Sequence, residues 1–213
     1  MRIIKTKEIF IIFLLSAAIS IIVFPQLPNH IPTHWNINGD IDSYGSKFTV
    51  FTEPALIFLI GFLMDIFRNI DPKRENYKKF KKEYDHFKTA ICLLIFAMQI
   101  FTIAVIFGYR LNTTIAVPFI TGLLFTYIGN LMPKVKFNYF FGLKTPWTLS
   151  NEHIWFKTHR TAGKIWFTGG LFMALSAFLP HPLNLILLIL ILLLLIFFPF
   201  FYSYLLYRKM HNV

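Results

Sequence analysis

FNYFFGLKTPWTLSNEHIWFKTHRTAGK, residues 137–164, is the longest polar and aromatic passage between the apolar runs of this chain, and it carries Trp147 and Trp155, two of four tryptophans. Lys144-Thr145-Pro146-Trp147 reads as a turn, because proline fixes its own φ and steers Thr145 away from helical backbone. Ser150 reads as the N-cap of a helix, with Glu152 in the first turn, where a carboxylate suits the helix dipole. From about Asn151 that helix sets Trp155, His159 and Ala162 on one face at i, i+4, i+7 spacing. Such a turn and amphipathic helix, held between two membrane spans, are expected to lie at the bilayer surface.

The rest of the chain supplies the membrane. Of 213 residues 56% are hydrophobic and 15% charged, 26 are phenylalanine, and the mean hydropathy is +0.59. A soluble domain is roughly 45–50% apolar and about 25% charged. The composition is that of an integral membrane protein. A net charge of +11 would suggest nucleic acid in a soluble chain. In a membrane protein, loop charge reports orientation first, and no direct nucleic-acid contact is expected. The single cysteine, Cys92, lies in an apolar run and reads as a small core residue. It excludes an internal disulfide and a cysteine metal cluster.

Six apolar runs measure up against the roughly 20 residues a spanning helix needs. They are Ile9–Phe24, Phe48–Phe67, Thr89–Tyr109, Ile115–Met132, Ile165–Leu179 and Leu183–Leu206. The first and fifth are short and rely on snorkelling or tilted neighbours. The first follows Arg2, Lys5 and Lys7 like a signal peptide, but Ser16-Ala17-Ala18 lies mid-run, so it reads as an uncleaved helix. The N-terminus, Arg68–Lys88, Pro133–Lys164 and the C-terminus carry every Lys and Arg except Lys47 and Arg110. That bias places both termini in the cytoplasm and turns Pro25–Lys47 outward.

The outer loop, PQLPNHIPTHWNINGDIDSYGSK, reads as an ordered series of turns. His30 and His34 invite a metal reading, but Pro32 between them would interrupt a helix presenting both. Asp40 and Asp42 read as turn residues, because no calcium-type loop surrounds them. Glu53 and Asp65 lie in the second span, where an ionisable group is a functional candidate. Asp65 has Arg68 at i+3. Glu53 is placed to meet Lys47 or Arg110, with a transport or proton-relay role as the sharper reading. The basic loop Arg68–Lys88 spaces Tyr77, Phe80, Tyr84 and Phe87 three to four residues apart, which reads as an amphipathic helix with an aromatic stripe. It would rest on anionic headgroups or, alternatively, dock a cytoplasmic partner. Gln99, Gly108, Pro118, Gly122 and Asn130 read as helix-packing positions.

No glycine-rich phosphate loop, HExxH or Gly-x-Ser-x-Gly elbow occurs. Glu152, His153 and His159 are the available acid/base groups, with no activated nucleophile beside them. The passage from Gly129-Asn130 through Asn138, Gly142, Lys144, Thr145, Pro146 and Trp147 to Glu152, Trp155, Thr158, His159, Arg160 and Gly163 resembles the signature of SdpI-type immunity proteins. Leu27-Pro28, Ile31-Pro32, His34-Trp35-Asn36, Gly39, Asp42, Gly45 and Lys47 resemble the N-terminal module that often accompanies it. Position 144 is lysine where that pattern more often has arginine, which weakens any bidentate anion contact.

The resemblance implies a non-enzymatic bacterial membrane protein that protects its host from a secreted peptide toxin, without metal or cofactor. It also implies signalling, in which the toxin-loaded protein holds a transcriptional repressor at the membrane. The expected fold is all-α, a polytopic bundle of about six transmembrane helices. Its expected parts are a two-span module over residues 1–67, a basic cytoplasmic loop over 68–88 and a four-span module over 89–213. Two other classes remain open. A transporter or channel would use Glu53, Gln99 and Asn130, and a membrane enzyme would use Glu152 and His159.

Overall fold

The computed structural model describes residues 7–211, so Arg2 and Lys5 of the expected basic N-terminus lie outside it. Seven α-helices and one hairpin follow in order: α1 (Lys7–Val23), β1 (His30–Trp35), β2 (Ile41–Ser46), α2 (Thr52–Ile70), α3 (Lys81–Ile106), α4 (Thr113–Leu131), α5 (Pro146–Ser150), α6 (Glu152–Ser176) and α7 (Leu183–His211). The fold is the all-α polytopic bundle expected from composition. Among the described residues five helices, α1, α2, α3, α4 and α7, are long and apolar enough to cross a membrane. The remaining expected span, Ile165–Leu179, takes up the second half of α6, a 25-residue helix whose first half is polar, and runs past the helix end at Ser176.

The chain divides into two compact units. The first comprises the described part of Met1–Ile66 with Lys88–Val117. Its core holds Ile9, Ile12, Ile57 and Cys92, all buried, and a second cluster of Leu27, Ile31, Val50 and Ile103. Polar groups inside it are paired, as low-dielectric surroundings require. Gln99 donates Nε2 to the Ser16 carbonyl (3.1 Å) and to Ser20 Oγ (2.8 Å), and accepts from Ser16 Oγ (2.6 Å). Asp65 accepts from Lys88 Nζ at 2.9 Å, with the lysine side chain fully buried.

The outer loop is more regular than a series of turns. β1 and β2 pair antiparallel, Ile31 opposite Gly45 and Trp35 opposite Ile41, with an irregularity around His34. Pro32 is tolerated because a two-stranded sheet has only edge strands. At the tip, Asn36 Oδ1 accepts from the backbone N–H groups of Asn38 and Asp40, and Gly39 adopts φ +87°. Gly39 hands its carbonyl to Thr113 Oγ1 at 3.0 Å, which ties the tip to the start of α4.

The second unit comprises Phe67–Phe87 with Pro118–Val213. Here α4 crosses α6 through glycines spaced seven residues apart on each helix, Gly122 and Gly129 against Gly163 and Gly170. A Cβ on Gly122 would stand 2.6 Å from the Gly170 carbonyl, and one on Gly129 2.7 Å from the Gly163 carbonyl. Only glycine lets two backbones approach this closely. α6 also lies along α7, where Trp166 Nε1 donates to the Leu195 carbonyl at 3.0 Å. The outward side of α7 is a run of exposed Leu, Ile and Phe, as a lipid-facing surface requires.

Candidate functional site

The aromatic stripe of Tyr77, Phe80 and Tyr84 is not spread on headgroups. These three rings are almost fully buried, and Phe80, Tyr84 and Phe87 surround Phe141 at ring separations of 4.8–6.1 Å. Burial against an aromatic partner 54 or more positions away outweighs exposure at an interface. The stripe is therefore the clamp that holds the start of the motif. Arg68, at 3.6 Å from Asp85, sits beside the same cluster, over the Tyr84 ring.

Asn138 organises the next step. Its Oδ1 accepts from the backbone N–H groups of Phe140 (3.1 Å) and Phe141 (2.6 Å), and its Nδ2 donates to the Lys136 carbonyl (2.8 Å). The Tyr77 hydroxyl lies 3.0 Å from both Asn138 Oδ1 and Asp71 Oδ2. Asp71 also accepts from the backbone N–H groups of Lys73 and Tyr139. Sequence reading passed over Asp71, buried in the midst of a basic loop. The Asp-Pro pair beginning a turn was its one visible signal.

Beyond Asn138 the chain turns through Gly142, at φ +110°. A Cβ there would stand 2.5 Å from His159 Nε2 and 3.2 Å from the Trp155 ring, so the glycine is required by space as well as by backbone. The backbone N–H of Leu143 donates to His159 Nε2 at 3.0 Å. Nε2 is thus an acceptor, and the ring proton sits on Nδ1, which donates to the Trp155 carbonyl at 2.9 Å. Trp155 Nε1 in turn donates to the Val135 carbonyl at 3.1 Å. The face of Trp155, His159 and Ala162 is fully buried, as its spacing predicts.

Burial pushes the His159 imidazole down to about 4 from its ordinary 6.5, with the Trp155 carbonyl bond opposing only weakly. A lowered value means that the unfolded chain binds the extra proton first. His159 stabilises the fold fully above pH 6.5, and that contribution falls away from 6.5 down to about 4. The shift corresponds to about 3 kcal/mol. Melting the purified protein across this range should show a steep loss of stability on acidification, and His159→Gln should flatten it. An unchanged acid slope in the variant would place the titration elsewhere.

The Pro-Trp turn follows. Thr145, rather than a later residue, caps α5: its Oγ1 accepts from Thr148 N at 3.1 Å while Thr148 Oγ1 accepts from Thr145 N at 2.8 Å. Asn151, not Ser150, caps α6, accepting from His153 and Ile154 N–H groups. Both are short polar side chains in extended backbone, and Ser150 is already the last residue of α5. Thr145 Oγ1 lies 2.9 Å from Ser203 Oγ, and the half-buried Trp147 packs on Phe200 and Tyr204 of α7. Pro146 is exposed at the first position of α5.

Lys144, Glu152 and Arg160 are exposed, and Lys144 Nζ donates to the Phe140 carbonyl at 3.1 Å. With Glu152 exposed and His159 buried with both nitrogens engaged, the two do not form one acid/base site. In the first unit, His34 Nδ1 meets Asp42 Oδ1 at 2.6 Å, and Trp35 stands edge-on to Phe101. Glu53 departs from expectation. Lys47 lies instead over the Phe24 ring at 4.7 Å, and among the described residues no ion pair forms at Glu53. Glu53 and Gln99 border one cavity, whereas Asn130 is exposed near the end of α4 and borders none of it. No group of three His, Cys, Asp or Glu able to hold a metal occurs among the described residues.

A membrane-spanning helix bundle, carrying a polar hairpin in one unit and a hydrogen-bonded Asn-Gly-Thr-Pro-Trp-His motif in the other, is the class these observations define. Residues 134–203 match the SdpI/YfhL protein family, and residues 11–58 match a domain of unknown function, DUF1648. The chain is 27% identical to the immunity protein SdpI of Bacillus subtilis (strain 168) over 202 residues, 95% of either protein. The resemblance read from the motif is thereby borne out. No solved structure matches the chain significantly.

Proposed function

We propose that this protein is a membrane immunity protein that protects a bacterium from a secreted peptide toxin. The similarity to SdpI along almost the full length of both chains carries this reading. The helix bundle, and the separation of exposed Glu152 from buried His159, support a binding protein over an enzyme built on those two residues. The Lys and Arg asymmetry supports cytoplasmic termini in the plasma membrane and an outward hairpin.

On this arrangement the hairpin meets the peptide. Outer-motif residues Pro32, His34, Trp35, Asn36, Gly39 and Asp42 shape it. In the second unit the basic segment carries exposed Lys73, Arg74, Lys78, Lys79, Lys81 and Lys82 beside the Asn138–Trp147 motif, and suits an acidic surface of a cytoplasmic repressor. Residues 1–67 then form the sensing module, 68–88 the basic segment and 89–213 the module that carries the motif. Expressing the chain in a toxin-sensitive bacterium should raise survival against candidate secreted peptides. Trp147→Ala, which loses its packing on α7, should lower protection at equal membrane levels. Sensitivity unchanged by the wild-type chain, with expression confirmed and across the peptides tried, would count against immunity.

A further inference from the structure

The first unit contains a cavity of about 540 Å³ that the motif does not use. Its walls are β1, the first turn of α2, the α3 segment from Met98 to Ile103 and the start of α4. The volume falls within the range of small-ligand sites, about 300–1,000 Å³. Half of the lining residues, and most of the lining surface, are apolar or aromatic, with Trp35 and Phe101 set edge to face. Gln99, on the same wall, has its amide committed to Ser16 and Ser20. The ionisable groups that border the cavity are few. His34 is held by Asp42, and Glu53 is a half-buried carboxylate with no ion pair among the described residues.

A carboxylate held against apolar walls interacts strongly with an entering cation, because little water screens it. An indole wall adds cation–π attraction for the same charge. We propose that this cavity receives an alkylammonium group, with Glu53 as counter-ion and Trp35 as aromatic wall. In the protein's working cycle that group is a lysine side chain or the N-terminus of the secreted peptide. The second statement rests on the immunity reading; the first does not.

The test uses the full chain in nanodiscs at neutral pH, following tryptophan fluorescence during titration with n-butylammonium chloride. n-Butanol and tetraethylammonium chloride serve as neutral and bulky controls. The expected result is a saturable change for butylammonium, absent from Trp35→Phe, with apparent affinity lowered at least tenfold in Glu53→Gln. Butanol should give no saturable signal. Equal butylammonium affinity in Glu53→Gln, or equal response to butanol, overturns the site. Glu53→Gln keeps the size and shape of the side chain while removing its charge, and a matching melting temperature confirms that the variant is folded.

Survival assays then separate the two readings. Glu53-dependent binding without protection by the wild-type chain would leave the ammonium site standing and remove immunity. Protection that persists fully in Glu53→Gln would remove the peptide's ammonium from this cavity and leave immunity standing.

Discussion

Lys88→Ala is expected to destabilise the protein by about 3–5 kcal/mol, because it removes the buried ammonium that faces the buried Asp65 carboxylate. Lys88 is fully buried and its ammonium lies 2.9 Å from Asp65 Oδ1, so no water replaces the lost charge cheaply. The paired replacement Asp65→Asn with Lys88→Met should recover much of the loss, since two neutral groups of similar volume avoid the uncompensated charge. Reversible unfolding in mixed micelles measures both. A single variant as stable as the wild type would mean that Asp65 is not held charged. A double variant no better than the single would mean that packing, not charge, dominates there.

Gly129→Ala is expected to cost about 3 kcal/mol, at the upper end of ordinary overpacking. The new methyl would stand 2.7 Å from the Gly163 carbonyl and closer still to the Phe167 backbone nitrogen. The obstacle is backbone on the facing helix, so no side-chain rotation relieves it and α4 must part from α6. Gly108→Ala makes a useful comparison, because open space surrounds that position despite its positive φ. The prediction concerns the ratio as well as the size. The alanine at 129 should lower both the unfolding midpoint and the survival conferred in cells, whereas the one at 108 should cost only its backbone strain. Equal effects at the two positions would contradict a glycine-dependent crossing.

Periodicity and chemistry differ in how far they can be read from sequence. The buried face of Trp155, His159 and Ala162 is legible because it repeats within one helix, and Thr145-Pro146 marks a turn through proline alone. Composition is likewise sufficient for the bundle, and the motif's order for the family resemblance. The hairpin is harder. Pro32, the irregularity at His34 and the polar tip dilute the two-residue alternation that would announce strands.

Long-range pairing is where local reading stops. The stripe of Tyr77, Phe80 and Tyr84 is visible as a stripe, but nothing nearby indicates that Phe141 fills it rather than lipid. Asp65 has an obvious neighbour in Arg68, but nothing local points to Lys88, 23 positions away, whose ammonium donates to its carboxylate. Gly122, Gly129, Gly163 and Gly170 show equal spacing on two helices, yet their facing each other is a tertiary fact. Ser150 and Asn151 are both good caps, and the choice depends on where α5 ends. Asp71 lay hidden by its basic surroundings, although its carboxylate anchors Tyr77 and Tyr139.

The most direct test is photocrosslinking with the protective peptide identified by survival. A photoreactive phenylalanine analogue placed at Ile37, exposed at the hairpin tip, and separately at Phe140, exposed in the motif, reports which surface the peptide reaches. Crosslinking at Ile37 and not at Phe140, in cells that survive, is the expected result. Crosslinking at Phe140 alone would contradict an outward hairpin that meets the toxin, and so would survival with no crosslink at either position.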